Sequence, residues 1–190
     1  IVEQHVHNID VFLWMSGLKS AKATSCGARH RRVTGDQYDM FSTDFEMENG
    51  VHLHSMCRQI DGCSNAVGEI VYGTKGSWNS FDHEIKDLAG NVIWKFNKGE
   101  QETLFKQHNP YVLEHVDAIN HIRKGEGLDE ATDCAISTLA GVMGREAAYS
   151  GATVTWDEMS QSDLDYMPEK LELGKMDMSQ HTLKTPGKAK

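Results

Sequence analysis

Met40-Phe41-Ser42-Thr43-Asp44-Phe45-Glu46-Met47-Glu48-Asn49-Gly50-Val51-His52-Leu53-His54-Ser55-Met56-Cys57-Arg58 is the stretch on which the fold turns. It alternates twice. Met40, Ser42, Asp44, Glu46 and Glu48 share one face, and Phe41, Thr43, Phe45 and Met47 the other, the period of a half-buried strand. Asn49-Gly50 is the strongest short hairpin signal, because both residues tolerate the positive φ of a tight turn. Alternation then resumes up to Ile60. Val51, Leu53, Ser55 and Cys57 oppose His52, His54, Met56 and Arg58. The pattern predicts two antiparallel neighbours.

Downstream, Asp61-Gly62 opens a turn that runs to Asn65. Residues 66–73 read as a strand, Lys75-Gly76 as a turn and residues 77–86 as another strand. Leu88 to Asn91 turns the chain, Val92 to Phe96 is strand-like, and residues 97–108 are polar and irregular. Two helices follow. Asn109 caps the first, Pro110 takes its first position, Val112, Val116 and Ile119 mark its buried stripe, and Gly125 ends it. The second runs over about 129–149, with Ala131, Ala135, Leu139 and Val142 inward and Gly151 at its end. Gly141-x-x-Gly144 lies inside it, where it permits close packing. Thr153 to Trp156 is a short extended piece.

Upstream of the hairpin, residues 20–32 read as a strand, closed by the turn Thr34-Gly35-Asp36. Residues 2–16 read as a helix stopped by Gly17. Helix, a run of antiparallel strands, then two helices is the order of an α+β domain: an open, mostly antiparallel sheet with helices on one face. The expected domain covers residues 1–160, and residues 161–190 form an extended or disordered tail.

The chain of 190 residues is long enough for a real core, and its mean hydropathy of -0.51 is that of a globular protein rather than a membrane one. Its apolar runs are too short to span a bilayer. A net charge of -9 argues against nucleic acid as a partner. Arg29-His30-Arg31-Arg32 is the exception, either a solvated strand end or an anion site. The four cysteines lack CxxC spacing and read as reduced thiols. Ten histidines raise the question of a metal. On a helix, however, His5 and His7 point about 200° apart, and His52 with His54 makes only two ligands, so no metal site is expected. GxGxxG, Walker A, GxSxG and HExxH patterns are absent.

The chemistry concentrates in Ile1-Val2-Glu3-Gln4-His5-Val6-His7. Read as a helix, Glu3, His7, Asp10 and Trp14 form one stripe, beside an apolar stripe of Val2, Val6, Ile9 and Leu13. A carboxylate one turn from an imidazole fixes the ring and raises its basicity, which suits proton transfer. The chain opens here without Met, cap or preceding strand, so essential parts are expected upstream.

Glu3 to Asp10, followed by Val11 to Gly17, resembles the helix that opens the C-terminal domain of Gfo/Idh/MocA oxidoreductases, the relatives of glucose-fructose oxidoreductase and inositol dehydrogenase. The motif there is an acid, three residues, a histidine, then a hydrophobic residue and Asp, running on to Trp and Gly. Asn49-Gly50-Val51, Gly73-Thr74-Lys75-Gly76-Ser77, Asn109-Pro110-Tyr111 with Glu114-His115, Gly151 and Trp156-Asp157-Glu158 extend the resemblance to about residues 1–167. It implies the second domain of a two-domain enzyme, similar to the C-terminal domain of glyceraldehyde-3-phosphate dehydrogenase. An N-terminal Rossmann domain carrying NAD or NADP, and a lysine in a Glu-Lys-Pro motif, would lie upstream.

The resemblance implies that His7 is the general base toward a sugar or polyol hydroxyl, with Glu3 as its acidic companion where many members have Asp. His5 stands where many have Gly and could narrow the pocket or touch substrate, and Asp10 orients His7 or bonds a backbone. Arg58, Tyr111 and His115 are further candidate substrate contacts, against an interface role for Arg58, with His52 and His54, and helix packing for the other two. Trp78, Trp94 and Trp156 read as core or interface aromatics. The resemblance also implies a homo-oligomer built through the sheet face, and a chain that is inert without its other half. A carbohydrate-binding or oligomerisation module of the same fold, without enzyme activity, is the alternative. The cytoplasm is the default compartment unless an export signal lies upstream.

Overall fold

The computed structural model of the protein describes residues 1–97, 99, 106, 109–168, 170–175, 177, 179 and 181–187. They fall into two compact units, residues 1–64 with 132–190, and residues 65–131.

The first unit is built on the hairpin. β1 (Ser20–Ala28), β2 (Met40–Met47), β3 (His52–Arg58) and the short β8 (Val154–Thr155) form one antiparallel sheet in the order β3-β2-β1-β8. The turn after Met47 uses Gly50 at φ 80°, and the Met47 amide donates to the Val51 carbonyl. β2 alternates as its residues predict, with Phe41, Thr43, Phe45 and Met47 buried and the residues between them half-buried. The inner face of the sheet is covered by α1 (Val6–Ser16), α3 (Ala131–Ser150) and α4 (Trp156–Ser160). Ile9 and Leu13 of α1, Ala140, Met143 and Ala147 of α3 and Met159 of α4 close over Ala23, Phe45 and Met47. The α+β class, with helices on one face of an open antiparallel sheet, is therefore the class observed.

Several boundaries differ from expectation. α1 begins at Val6 and residues 2–5 are a turn, because no side chain caps the helix and no acid occupies its first turn. β1 stops at Ala28 because the amides of His30, Arg31 and Arg32 turn onto the Asp39 carboxylate. The buried stripe of α3 is rotated from the expected one. Ser137, Ala140, Gly141, Met143, Gly144, Ala147 and Ala148 are buried, whereas Leu139 and Val142 flank the core and Ala131 and Ala135 are exposed. Small residues let this helix lie close to β2: a Cβ on Gly144 would sit 3.0 Å from Phe45 Cζ. Trp156 opens α4 rather than ending an extended piece, and Thr155 with Glu158 forms its capping box.

Beyond Gln161 the chain forms no helix or strand among the described residues, yet it touches the first unit. Tyr166 stacks on Arg145 and donates to Glu146, and Tyr38 Oη donates to the Lys184 carbonyl. Tyr38 also meets Phe41 and Tyr149 in an aromatic cluster that Ile1 packs against.

The second unit carries a four-stranded antiparallel meander, β4 (Ile70–Gly73), β5 (Gly76–Asn79), β6 (Glu84–Asp87) and β7 (Val92–Lys95), and the helix α2 (Pro110–Lys124). The expected strand over 77–86 is two strands. Asn79 and Asp82 accept amides from Phe81 and Glu84, and His83 adopts φ 54°, so the chain reverses without Gly or Pro. Val71, Trp78, Ile85 and Trp94 align across the four strands, with Trp94 exposed. α2 is capped by Asn109 and ended by Gly125 at φ 71°, as expected. Its stripe of Val112, Val116 and Ile119 is exposed rather than buried. The reading of 97–108 as irregular falls mostly outside the described residues.

Candidate functional site

The site expected around His7 lies where the turn 2–5 becomes α1. The His7 amide donates to the Gln4 carbonyl, and the amides of Asn8 and Ile9 to that of His5. Because the helix starts only at Val6, Glu3 and His7 do not stand on successive helical turns. Both are exposed, and among the described residues no ion pair joins them. The His7 ring makes no hydrogen bond to a described residue. The stripe that does form is His7, Asp10 and Trp14, with Trp14 fully on the surface at 79% exposure.

Two flanking residues are held from elsewhere in the unit. His5 Nε2 and Ser55 Oγ of β3 lie 2.6 Å apart, a hydrogen bond whose donor depends on the ring tautomer. Ser137 Oγ of α3 donates to Asp10 Oδ1 at 2.5 Å. Both serines are buried. Ser55 belongs to a row of hydroxyls across the inner face: it faces Thr43 in the register, and Thr43 Oγ1 lies 2.7 Å from Ser25 Oγ. Neither serine was singled out from the sequence. The available signal was a polar residue on an otherwise apolar face, since a buried hydroxyl requires a partner.

The remaining candidates belong to other elements. Arg58 projects from the outer face of β3 with His52, His54 and Met56, whereas Ser55 and its partner His5 are on the inner side. Arg58 Nη2 donates to the Ser64 carbonyl, and His52 pairs with Asp44 at 2.8 Å. Tyr111 and His115 are exposed on α2 of the second unit, with His115 3.8 Å from Glu114. The basic cluster after β1 does not face solvent anions with its backbone. The amides of His30, Arg31 and Arg32 close on the Asp39 carboxylate at 2.8, 2.7 and 2.9 Å. Burial pushes the Asp39 carboxyl up, but these amides outweigh it and bring it down to about 2.

Among the described residues no three His, Cys, Asp or Glu side chains converge to hold a metal, and all four cysteines are free thiols. Gly125-x-Gly127 follows α2 rather than a strand.

No protein-family model and no curated protein matches the chain. Solved structures do. Aldose-aldose oxidoreductase from Caulobacter crescentus, complexed with glycerol, is similar with a TM-score of 0.62 and 13% identity, over 80% of this chain and 45% of that one. Scyllo-inositol dehydrogenase from Lactobacillus casei, with bound NAD(H) and scyllo-inositol, gives a TM-score of 0.58 and 18% identity, over 79% of this chain and 46% of that one. UDP-N-acetylglucosamine 3-dehydrogenase from Acidithiobacillus ferrooxidans gives 0.60 and 15%, over 76% and 45%. The chain spans a little under half the length of these proteins. At such identities the likeness is one of fold, and it is the fold of the Gfo/Idh/MocA-type oxidoreductases that the motifs resemble.

Proposed function

We propose that this chain is the substrate-binding and proton-transferring half of an NAD(P)-dependent oxidoreductase acting on a sugar or polyol hydroxyl. The observation that carries the reading is His7. It is an exposed imidazole with no partner among the described residues, one turn before Asp10, on a fold shared with solved inositol and sugar dehydrogenases. An exposed imidazole is open to a ligand.

Oxidation of a secondary alcohol breaks the C–H and O–H bonds and forms a carbonyl. The nicotinamide, held by residues outside this chain, would accept the hydride. The His7 ring accepts the hydroxyl proton as the carbonyl forms, and returns it in the reverse direction. Glu3 supplies an acidic side chain in the turn that leads into α1, four residues before His7. The chain by itself is inert, because the cofactor carries the chemistry. The bare outer face of the first sheet, with His52, His54, Met56 and Arg58, supports assembly with further copies.

The test is to extend the chain upstream with its natural sequence. NAD(P)H fluorescence is then titrated and a panel of sugars and polyols assayed. Nucleotide binding is expected for the extended chain and not for these 190 residues alone. His7→Ala is expected to lower kcat by about 10²- to 10⁴-fold, the usual share of a general base, with the melting temperature unchanged. Turnover that survives His7→Ala overturns the assignment.

A further inference from the structure

We infer that Ser55 and Ser137 are positioning residues, two buried hydroxyls that clamp His5 and Asp10 and thereby fix His7 between them. The inference rests on the reading of His7 as the base.

α1 lacks the usual devices for setting its own start. It has no side-chain N-cap and no acid in its first turn. Its first bonds are instead accepted by the His5 carbonyl, from the amides of Asn8 and Ile9. Whatever fixes His5 therefore fixes where the helix begins. Ser55 does so from β3, 50 residues away, through the 2.6 Å bond to the His5 ring. At the other side of His7, Ser137 reaches across from α3 to Asp10 over 127 residues of sequence. Ser55 is 5% exposed and Ser137 3%. A buried hydroxyl costs free energy unless it is paired, and alanine would fill either place. Among the described residues neither serine's side chain has a second partner, so each hydroxyl's contribution is to hold one flank of His7.

The clamp also shapes the charge that His7 meets. Ser137 takes one oxygen of Asp10, and the other carries no bond to a described residue. Residues three apart on a helix are neighbours. Ser137 thus holds the Asp10 carboxylate in one orientation, on the helix turn that follows His7.

The experiment is NMR on the 190-residue chain, with no cofactor or substrate needed. The His7 ring signal is assigned by its loss in His7→Gln. In Ser55→Ala, the Asn8 and Ile9 amides are expected to exchange about 3- to 10-fold faster, the range set by one net hydrogen bond, and Ser55→Thr restores them. In Ser137→Ala the Asp10 carboxylate is released, and the His7 ring signals are expected to shift. In Asp10→Asn they also shift, and adding Ser137→Ala to that variant changes nothing further. A serine that only fills space would leave the ring signals in place, or move them equally in both backgrounds. That result overturns the clamp. Should Ser137→Ala not fold, Asp10→Asn reads the coupling alone, and unmoved ring signals there are equally fatal. In the extended enzyme, Ser137→Ala is expected to lower kcat with KM little changed. If the extended chain turns nothing over while the NMR couplings hold, the functional reading fails and the clamp stands. If turnover occurs and the couplings are absent, the reverse is true.

Discussion

At Asp39 a single carboxylate accepts three successive backbone amides, and its carboxyl is held at about 2. A folded-state value below the unfolded one means that the group stabilises the fold above the ordinary carboxylate range. That contribution is lost as pH falls from about 4 toward 2. Urea unfolding at pH 7, 4 and 2 is expected to show the loss, and Asp39→Asn to remove this pH dependence. At pH 7 the variant should cost about 1–3 kcal/mol, the range for a buried charged acceptor that is lost. The residue scale is also where the sequence was least informative. His7 and Asp10 stand out because helical spacing puts them on one stripe and because the motif they belong to is distinctive. Ser55, Ser137 and Asp39 do not, since their partners are set by tertiary packing or by a loop conformation. Nothing adjacent to Ser137 in the chain points to Asp10.

Between elements, α3 offers two glycines that differ only in their neighbours. At Gly144 a Cβ would meet Phe45 at 3.0 Å, Ile1 at 3.1 Å and Thr43 at 3.2 Å. At Gly141 the nearest atom is Val2 Cα at 3.7 Å, ordinary contact. Replacing a helical glycine with alanine gains up to about 1 kcal/mol of propensity, while overpacking costs about 1–3 kcal/mol. Gly141→Ala should therefore raise the urea midpoint and Gly144→Ala lower it. Thr155→Ala removes one half of the α4 capping box and should cost about 1 kcal/mol in the same measurement. Period-2 alternation made β2 and β3 legible to within two residues, because one face is buried and the pattern is strict. The buried stripe of α3 was not legible, because Ala, Gly and Ser carry almost no hydrophobic signal and a search for large residues settles on Leu139 and Val142. The α4 cap is legible in Thr155-x-x-Glu158, the spacing of a capping box.

For the molecule as a whole, the outer face of the first sheet is the feature with most to test. Lys22 pairs with Glu46, His52 with Asp44, and Met56 lies among them at 68% exposure. If this face joins copies of the chain, Met56→Lys buries an unpaired charge at the joint. Sedimentation should then return a species near the 21.3 kDa of one chain, with stability changed by less than about 0.5 kcal/mol, as for surface substitutions. A wild-type chain already at that mass removes the assembly proposal.

The division into two units carries a consequence for synthesis. Residues 65–131 are continuous, whereas the first unit is assembled from segments on both sides of them. β1 is made early but pairs with β8 at Val154–Thr155, and Tyr38 waits for Lys184. At ordinary ribosomal speed, on the order of ten seconds separates the emergence of those partners. The middle of the chain can finish folding first, while the β2–β3 hairpin stands with its inner face open. During that interval Phe41, Phe45 and Met47 lack the helix residues that later cover them, and a ribosome paused near residue 131 would prolong that exposure.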